Sequence, residues 1–138
     1  MISTKPDSTL TFSSMTLNII AKSHIEFREK VKMIPRRTEY FRQVELQIRY
    51  DSLCKEHGKL VREKIYKMMC EKTFTNTYPC FIDIQNIPNI SKLDQMVLFM
   101  HTLGYDAKAI ADILFSDQNS VMTIRAKLKR RAPEYFIE

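Results

Sequence analysis

The segment 91–131 contains signals for three helix starts and one helix end. Ser91 and Asp94 have the spacing of a capping box, in which each side chain bonds the backbone N–H of the other residue. Gly104 stands where a left-handed residue closes a helix, and Asp106 and Asp117 can cap the helices that follow. The spacing therefore predicts three short helices, one that begins at Ser91 and ends before Gly104, one at 107–115 and one at 118–131.

The third predicted helix follows a tight polar turn and has two different sides. Val121, Ile124 and Leu128 recur at three- and four-residue steps, so they are expected to face the core. The opposite side is small or polar enough to enter a DNA groove roughly 12 Å wide, and cations stand near its end for phosphates. The outward residues are Gln118, Asn119, Met122, Thr123, Arg125, Ala126 and Lys129, and the cations are Arg125, Lys127, Lys129, Arg130 and Arg131.

The outward residues of this helix have distinct predicted roles on duplex DNA. Gln118 and Asn119 can form paired hydrogen bonds with adenine, and the first turn of a helix also favours phosphate. Thymine methyl groups would be contacted by Met122, Thr123 and Ala126, and guanine by Arg125. The alternative is a plain amphipathic helix whose basic end is solvated.

The composition favours an all-α fold. The chain has 2 Gly and 5 Pro in 138 residues, too few breakers for the many turns of an all-β fold. Its net charge of +6 favours a polyanionic partner. The excess lies mainly upstream, because residues 1–90 carry 15 Lys and Arg against 10 Asp and Glu, a net of +5.

A long helical arm, antiparallel or coiled-coil-like, is predicted before this three-helix module. Residues 1–12 are expected to form a flexible lead-in to an arm at 13–72. The arm's first helix, 13–33, has a predicted apolar stripe and ends before Pro35. The stripe consists of Leu17, Ile20, His24, Phe27 and Val31.

The arm's second helix, 39–72, keeps a helical apolar period with Gly58 as its weak point. Two such helices cannot bury much surface alone, so they need a partner. A second copy of the chain is the favoured partner, which makes the arm a dimerisation element. The alternative is packing on the C-terminal helices of the same chain.

Residues 73–90 form a predicted connector. Tyr78-Pro79 and Ile87-Pro88 restrict the backbone to extended or turn geometry. The connector is too apolar for a free linker, so it is expected to pack on the C-terminal module as core. The apolar residues are Phe74, Tyr78, Phe81, Ile82 and Ile84.

Other function classes lack support in the sequence. Cys54-x-x-His57 has no second pair at a metal-site spacing, and three cysteines fit reduced thiols. There is no Gly-rich phosphate loop, and no nucleophile and base stand in a supporting motif. No metal, cofactor, small-molecule substrate or catalysis is therefore expected. Neither a signal peptide nor an apolar run long enough to cross a bilayer is present.

On these residues, segment 91–131 resembles a LuxR-type helix-turn-helix domain. Leu93 and Asp94 stand where the family has a Leu and an acid. Gly104 precedes a second helix of the pattern Lys-x-Ile-Ala-x-x-Leu, and Ser120-Val121 open the third. The matches to the second-helix pattern are Lys108, Ile110, Ala111 and Leu114.

A closer likeness is to the variant at the C-terminus of Bacteroidetes regulators with tetratricopeptide repeats. Its third-helix pattern is matched by Ser120-Val121, Arg125, Lys127-Leu128 and Arg131. The resemblance implies phosphate contacts from Lys108, Ser120 and Lys127, and groove-facing positions at Met122, Thr123 and Ala126. It also implies that an upstream sensor or repeat region of a larger protein can precede this chain.

The expected function is a transcriptional regulator, or its effector region, that binds double-stranded DNA through helix 118–131 as a homodimer. The expected location is the cytoplasm, either free or as the cytoplasmic tail of a membrane-anchored regulator. The alternative is a protein–protein interaction module that keeps the helix-turn-helix scaffold without binding DNA.

Overall fold

The computed structural model describes the backbone of residues 5–33 and 40–136 and the side chains of residues 11–33 and 47–136. Over these residues the fold is all-α, as predicted, and contains no strand. A 3-10 helix, Pro133–Phe136, follows the α-helices. These are α1 Lys5–Lys32, α2 Tyr40–Met69, α3 Lys72–Thr77, α4 Cys80–Gln85, α5 Lys92–Thr102, α6 Ala107–Leu114 and α7 Gln118–Arg131.

The helices α1 and α2 form an antiparallel pair. Lys64 Nζ lies 3.1 Å from Glu26 Oε2, and Lys30 Nζ lies 3.8 Å from Glu56 Oε1. Residues later in α1 pair with residues earlier in α2, so the two helices run in opposite directions. Both ion pairs are largely exposed, so they contribute little, and the pair depends on apolar packing.

One apolar core joins the first half of α1 and the last half of α2, here called the lower half of the pair, to the rest of the chain. Phe12 of α1 is fully buried, and its ring centroid lies 5.4 Å from that of Phe99 in α5. From α2 the core receives Val61, Ile65 and Met69, all fully buried. The lower half of the pair therefore packs on the C-terminal helices of its own chain, which was the alternative that the sequence left open.

Two predictions for α1 were wrong, and the burial of Phe12 explains the second. The chain is already helical at Lys5, whereas a flexible lead-in was predicted over 1–12, of which residues 1–4 lie outside the described part. Leu17 was placed on the buried stripe but is 62% exposed. It comes five residues after Phe12, about 140° around the helix, so burial of Phe12 turns Leu17 outward.

The connector packs on the core, as predicted, and its backbone leaves the helix at Tyr78-Pro79 and at Ile87-Pro88, also as predicted. It forms the short helices α3 and α4, which are separated at Tyr78-Pro79. Phe74 lies with its ring 5.4 Å from Phe99, and Phe81 lies 5.6 Å from Phe99. Ile82 was predicted to be core but is exposed, because α4 buries Phe81 and Ile84 instead.

The start and end signals of the last three helices are confirmed. Ser91 and Asp94 form the capping box, with Ser91 N to Asp94 Oδ2 at 2.9 Å. Gly104 has φ +94°, the left-handed conformation that glycine adopts without strain. Asp106 and Asp117 cap α6 and α7 by accepting hydrogen bonds from Ala109 N and Ser120 N. None of the described helices could cross a membrane.

Candidate nucleic-acid interface

The inner side of α7 is seated in the core. Val121 and Leu128 are fully buried and Ile124 is half-buried, as their spacing predicted. Ala111 of α6 is buried against the same cluster. Because the inner side is fixed in this way, the orientation of the outer side is fixed as well.

Most of the outer side of α7 is exposed among the described residues. Met122 at its centre is 53% exposed. The Thr123 hydroxyl donates to the carbonyl oxygen of Asn119 at 3.0 Å. Eight of the predicted DNA-contacting residues on α7 are exposed: Gln118, Asn119, Ser120, Met122, Thr123, Ala126, Lys129 and Arg130.

The predicted phosphate-binding cations fall into two groups. Lys127 Nζ lies 2.6 Å from Asp94 Oδ2, so this lysine bonds the start of α5 rather than pointing freely to solvent. Arg131 donates to the carbonyl oxygen of Asn89 at 2.7 Å. By contrast, no hydrogen bond or ion pair to another described residue holds Lys108, Lys129 or Arg130, and all three are exposed.

Arg125 is half-buried and bonds a histidine of α5. Its Nη2 lies 3.3 Å from His101 Nδ1. Arginine can only donate, so Nδ1 accepts and His101 is neutral in this contact. Burial lowers the pKa of His101, and the neighbouring Arg125 charge lowers it further, while a backbone hydrogen bond with Tyr135 raises it.

The C-terminal 3-10 helix lies beside the outer side of α7, which the sequence did not predict. The Phe136 ring stacks on His101 with centroids 4.3 Å apart. Phe136, Met122, Arg125, Ala126 and Lys129 line a shallow depression of about 250 Å³. An aromatic side chain therefore borders the outer side of α7 near the end of that helix.

Helix α2 holds the turn between α6 and α7. Arg62 Nη1 donates to the carbonyl oxygens of Leu114 at 3.0 Å and Phe115 at 2.9 Å. These carbonyls stand at the end of α6, where helical partners are lacking. Phe115 has φ 50°, a left-handed conformation that is uncommon without glycine. Arg62 was missed from the sequence, because nothing local distinguishes it from other helical arginines.

Gly58 was the sequence signal for this contact. A Cβ at this position would lie 3.2 Å from the carbonyl oxygen of Phe115 and 3.1 Å from Arg62 Nη1. The glycine that looked like a weak point in α2 is therefore where the turn approaches the helix most closely.

His57 completes the contact between the helical pair and the turn. Its ring centroid lies 4.7 Å from that of Phe27 and 5.0 Å from that of Phe115. Its Nε2 is buried and has no hydrogen-bond partner among the described residues. Burial lowers the pKa of His57, and the nearby charges of His24 and Lys64 lower it further.

The described residues contain no group of three or more His, Cys, Asp or Glu side chains that could hold a metal ion. Cys54, Cys70 and Cys80 are exposed free thiols. Partial burial nevertheless raises the pKa of the Cys80 thiol.

Comparison with family models, curated proteins and solved structures gives no match to this chain. The resemblance to the LuxR-type domain therefore depends on the motif residues alone. Ile110, Ala111 and Leu114 are buried, and Asp94 completes the capping box of α5 with Ser91. These positions support the three-helix core, whereas the chemistry of DNA binding would come from the outer side of α7.

Proposed function

We propose that this chain binds duplex DNA through the outer side of α7, as a transcriptional regulator with a LuxR-type helix-turn-helix. The observation that carries the proposal is that this side is mostly exposed while the inner side is fixed in the core. A recognition helix needs both properties, because its register on the groove depends on how rigidly its scaffold holds it.

The three cations that have no partner among the described residues supply the electrostatic part of the proposal. Lys129 and Arg130 lie in the last turn of α7, and Lys108 lies in the first turn of α6. Cations at the flanks of a groove-binding helix contact phosphates, and each neutralised phosphate releases counterions. Lys127 and Arg125 already have protein partners, so they are weaker candidates for phosphate contact than the sequence indicated.

The centre of the outer side supplies base contacts. The amides of Gln118 and Asn119 are exposed in the first turn of α7, where they can bond adenine. Met122 and Ala126 present apolar atoms toward thymine methyl groups. Specificity in this proposal comes from few polar groups, so non-specific phosphate contacts supply most of the affinity.

We propose that the helical pair joins two copies of the chain. Ile25 is 60% exposed, Met33 is 83% exposed and Ile48 is 63% exposed, all in the half of the pair farthest from the core. These exposed apolar side chains at one end of the pair would give a second copy of the chain an apolar surface to cover. The proposed protein is non-catalytic and cytoplasmic, either free or attached to an upstream sensor region.

A salt titration with matched variants tests DNA binding. Binding of a mixed-sequence duplex is measured by fluorescence anisotropy from low to moderate salt. The double variant Lys129→Ala/Arg130→Ala is expected to reduce the slope of log K against log salt by about 1 to 2. The control, Lys22→Ala/Arg28→Ala, removes the same charge from exposed positions of α1 and is expected to keep the parent slope.

Two results would overturn the proposal. One is absence of salt-sensitive binding by the parent chain. The other is equal loss in both double variants, which would mean that net charge and not the outer side of α7 binds the duplex. The first result favours the alternative, a protein-interaction module that retains the scaffold.

A further inference from the structure

A cavity of about 450 Å³ lies between α2 and the start of α5, apart from the outer side of α7. Its volume falls within the range of small-molecule sites, roughly 300 to 1,000 Å³. Tyr66, Leu93 and Met96 provide apolar lining. None of the residues assigned to DNA binding contributes to it.

The charged groups around this cavity are mostly positive. Lys59, Arg62, Lys67 and Lys92 line it, against the single carboxylate of Glu63. In the part of the chain that the structure describes, no carboxylate lies within ion-pair distance of any of the three lysines.

Two of the cations already have other contacts. Lys92 Nζ lies 5.4 Å from the centre of the Tyr66 ring, which places a positive charge directly over an apolar surface. Arg62 uses Nη1 for the turn carbonyls. Lys59 and Lys67 are therefore the cations most available to an occupant.

We propose that this cavity binds a small organic anion with an apolar body, such as an aromatic or aliphatic carboxylate. The body would contact Tyr66, Leu93 and Met96, and the carboxylate would pair with Lys59 and Lys67. An anion gains more in this setting than in open water, because the apolar lining lowers the local dielectric constant around the lysines.

The cavity chemistry favours a small anion over a protein or a duplex. A protein partner requires roughly 800 Å² of contact on each side, more than one concave site of this size supplies. A phosphate backbone could pair with the cations, but it has no apolar body to contact Tyr66, Leu93 and Met96. An ammonium ligand is disfavoured by the same four cations that favour a carboxylate.

Nuclear magnetic resonance titration of the full chain tests this proposal with three probes. Phenylbutyrate has both the apolar body and the carboxylate, phenylbutanol has only the body, and acetate has only the charge. Phenylbutyrate is expected to saturate with the largest shifts at Tyr66, Leu93 and Met96. The neutral alcohol and acetate are each expected to bind at least about tenfold more weakly, since each lacks one of the two interactions.

Matched double variants test the charge assignment. Lys59→Gln/Lys67→Gln is expected to weaken phenylbutyrate by about tenfold and to leave phenylbutanol unchanged. Lys22→Gln/Lys55→Gln removes the same charge from exposed positions outside the cavity and is expected to bind like the parent.

Three results would overturn the site. They are no saturable binding of phenylbutyrate, equal affinity for the acid and the alcohol, and shifts that map away from α2 and α5. Retained backbone spectra in the glutamine variants separate loss of binding from loss of folding. The result is independent of DNA binding, because the variants keep Lys129 and Arg130 intact.

Discussion

The C-terminal helices and the helical pair use their apolar side chains in different ways. In α5, the run from Asp94 to Met100 is buried without interruption. In the half of the pair farthest from the core, here called the upper half, Ile25, Met33 and Ile48 remain mostly exposed. The first region closes its own core, whereas the second has apolar surface that no described residue covers. The buried core and the exposed apolar surface therefore lie in different parts of the described chain.

The largest expected contrast is between a core residue and an exposed residue of similar size. Leu128→Ala is expected to cost about 2 to 5 kcal/mol, because it removes a fully buried side chain and leaves a cavity. Ile25→Ala in the upper pair is expected to stay within about 0.5 kcal/mol in the monomer. Urea unfolding at low protein concentration measures both.

Equal costs for the two substitutions would contradict this comparison. A large cost for Ile25→Ala that grows with protein concentration would instead sharpen it, since a residue covered in a dimer stabilises only the associated state. Ile25→Glu provides the corresponding test of association. It is expected to shift molar mass in solution toward the monomer, while Lys22→Glu on the same helix is not.

The next contrast is between the ion pairs of the two regions. Asp94→Ala removes the acceptor for Ser91 N in the capping box of α5 and the partner of Lys127, and the Asp94 side chain is only 4% exposed. We expect a cost of about 2 kcal/mol from the lost charge-assisted hydrogen bonds, while Ser91 still caps α5. Glu26→Ala breaks the exposed pair with Lys64 and is expected to cost less than about 1 kcal/mol.

Asp94→Asn separates the two contributions of this residue. Asparagine keeps an oxygen that can accept from Ser91 N but loses the charge that attracts Lys127. In urea unfolding, the stability of Asp94→Asn is expected to lie between those of the parent chain and Asp94→Ala. If Asp94→Asn is as damaging as the alanine variant, the ion pair and not the cap is the main contribution.

The C-terminal helices and the helical pair differ in how much of their structure could be predicted from the sequence. The starts of α5, α6 and α7 were predictable, because a capping signal acts within a few residues of its own helix. The register of α1 was not predictable in the same way. It depends on Phe12 meeting Phe74 and Phe99, contacts distant in sequence.

The candidate site likewise has residues that could be predicted from the sequence and contacts that could not. The exposed residues of α7 follow from the positions of Val121, Ile124 and Leu128, which a helical period reveals. Arg62 could not be predicted, because its role depends on carbonyls more than fifty residues away in sequence. The same applies to Lys127, whose helical position is predictable but whose bond to Asp94 requires the packing of α7 on α5.

Gly58 tests the contact that joins the two regions. At an unobstructed helix position, Gly→Ala stabilises by about 1 kcal/mol. Here the new Cβ would lie 3.2 Å from the Phe115 carbonyl oxygen, so the turn or the helix has to shift. We expect Gly58→Ala to be neutral or to destabilise by up to about 1 kcal/mol in urea unfolding.

Ser52→Ala is the matched control on α2, because Ser52 is exposed. It is expected to stabilise slightly, by a few tenths of a kcal/mol on propensity alone, which is about the precision of the measurement. A full stabilising effect of about 1 kcal/mol from Gly58→Ala would show that α2 does not hold the turn as closely as the distances indicate.

The smallest expected effect is on pH dependence, and it involves one histidine from each region. His57 contacts the turn from α2, and His101 contacts α7 from α5. Burial is the main cause that lowers the pKa of both below the usual 6.5, so the folded state prefers the neutral forms. The unfolded chain then binds more protons, and stability falls as pH decreases.

The window follows from the direction of these shifts. The stabilisation by neutral histidine is complete above pH 6.5 and is lost as pH falls below 6.5 toward the lowered folded pKa. Urea unfolding across this range should show declining stability in the parent chain. His57→Phe is expected to flatten part of that decline, since phenylalanine retains the ring contacts with Phe27 and Phe115 without titrating.

The decline that remains in His57→Phe is assigned to His101. The double variant His57→Phe/His101→Gln is therefore expected to be flatter than either single variant, because glutamine keeps an acceptor for Arg125 without titrating near neutral pH. Around His57, Glu26 opposes the lowering effect of His24, Lys64 and Lys30. Glu26→Gln should accordingly steepen the decline below pH 6.5, and a flatter profile in that variant would mean that burial and its positive neighbours do not control this histidine.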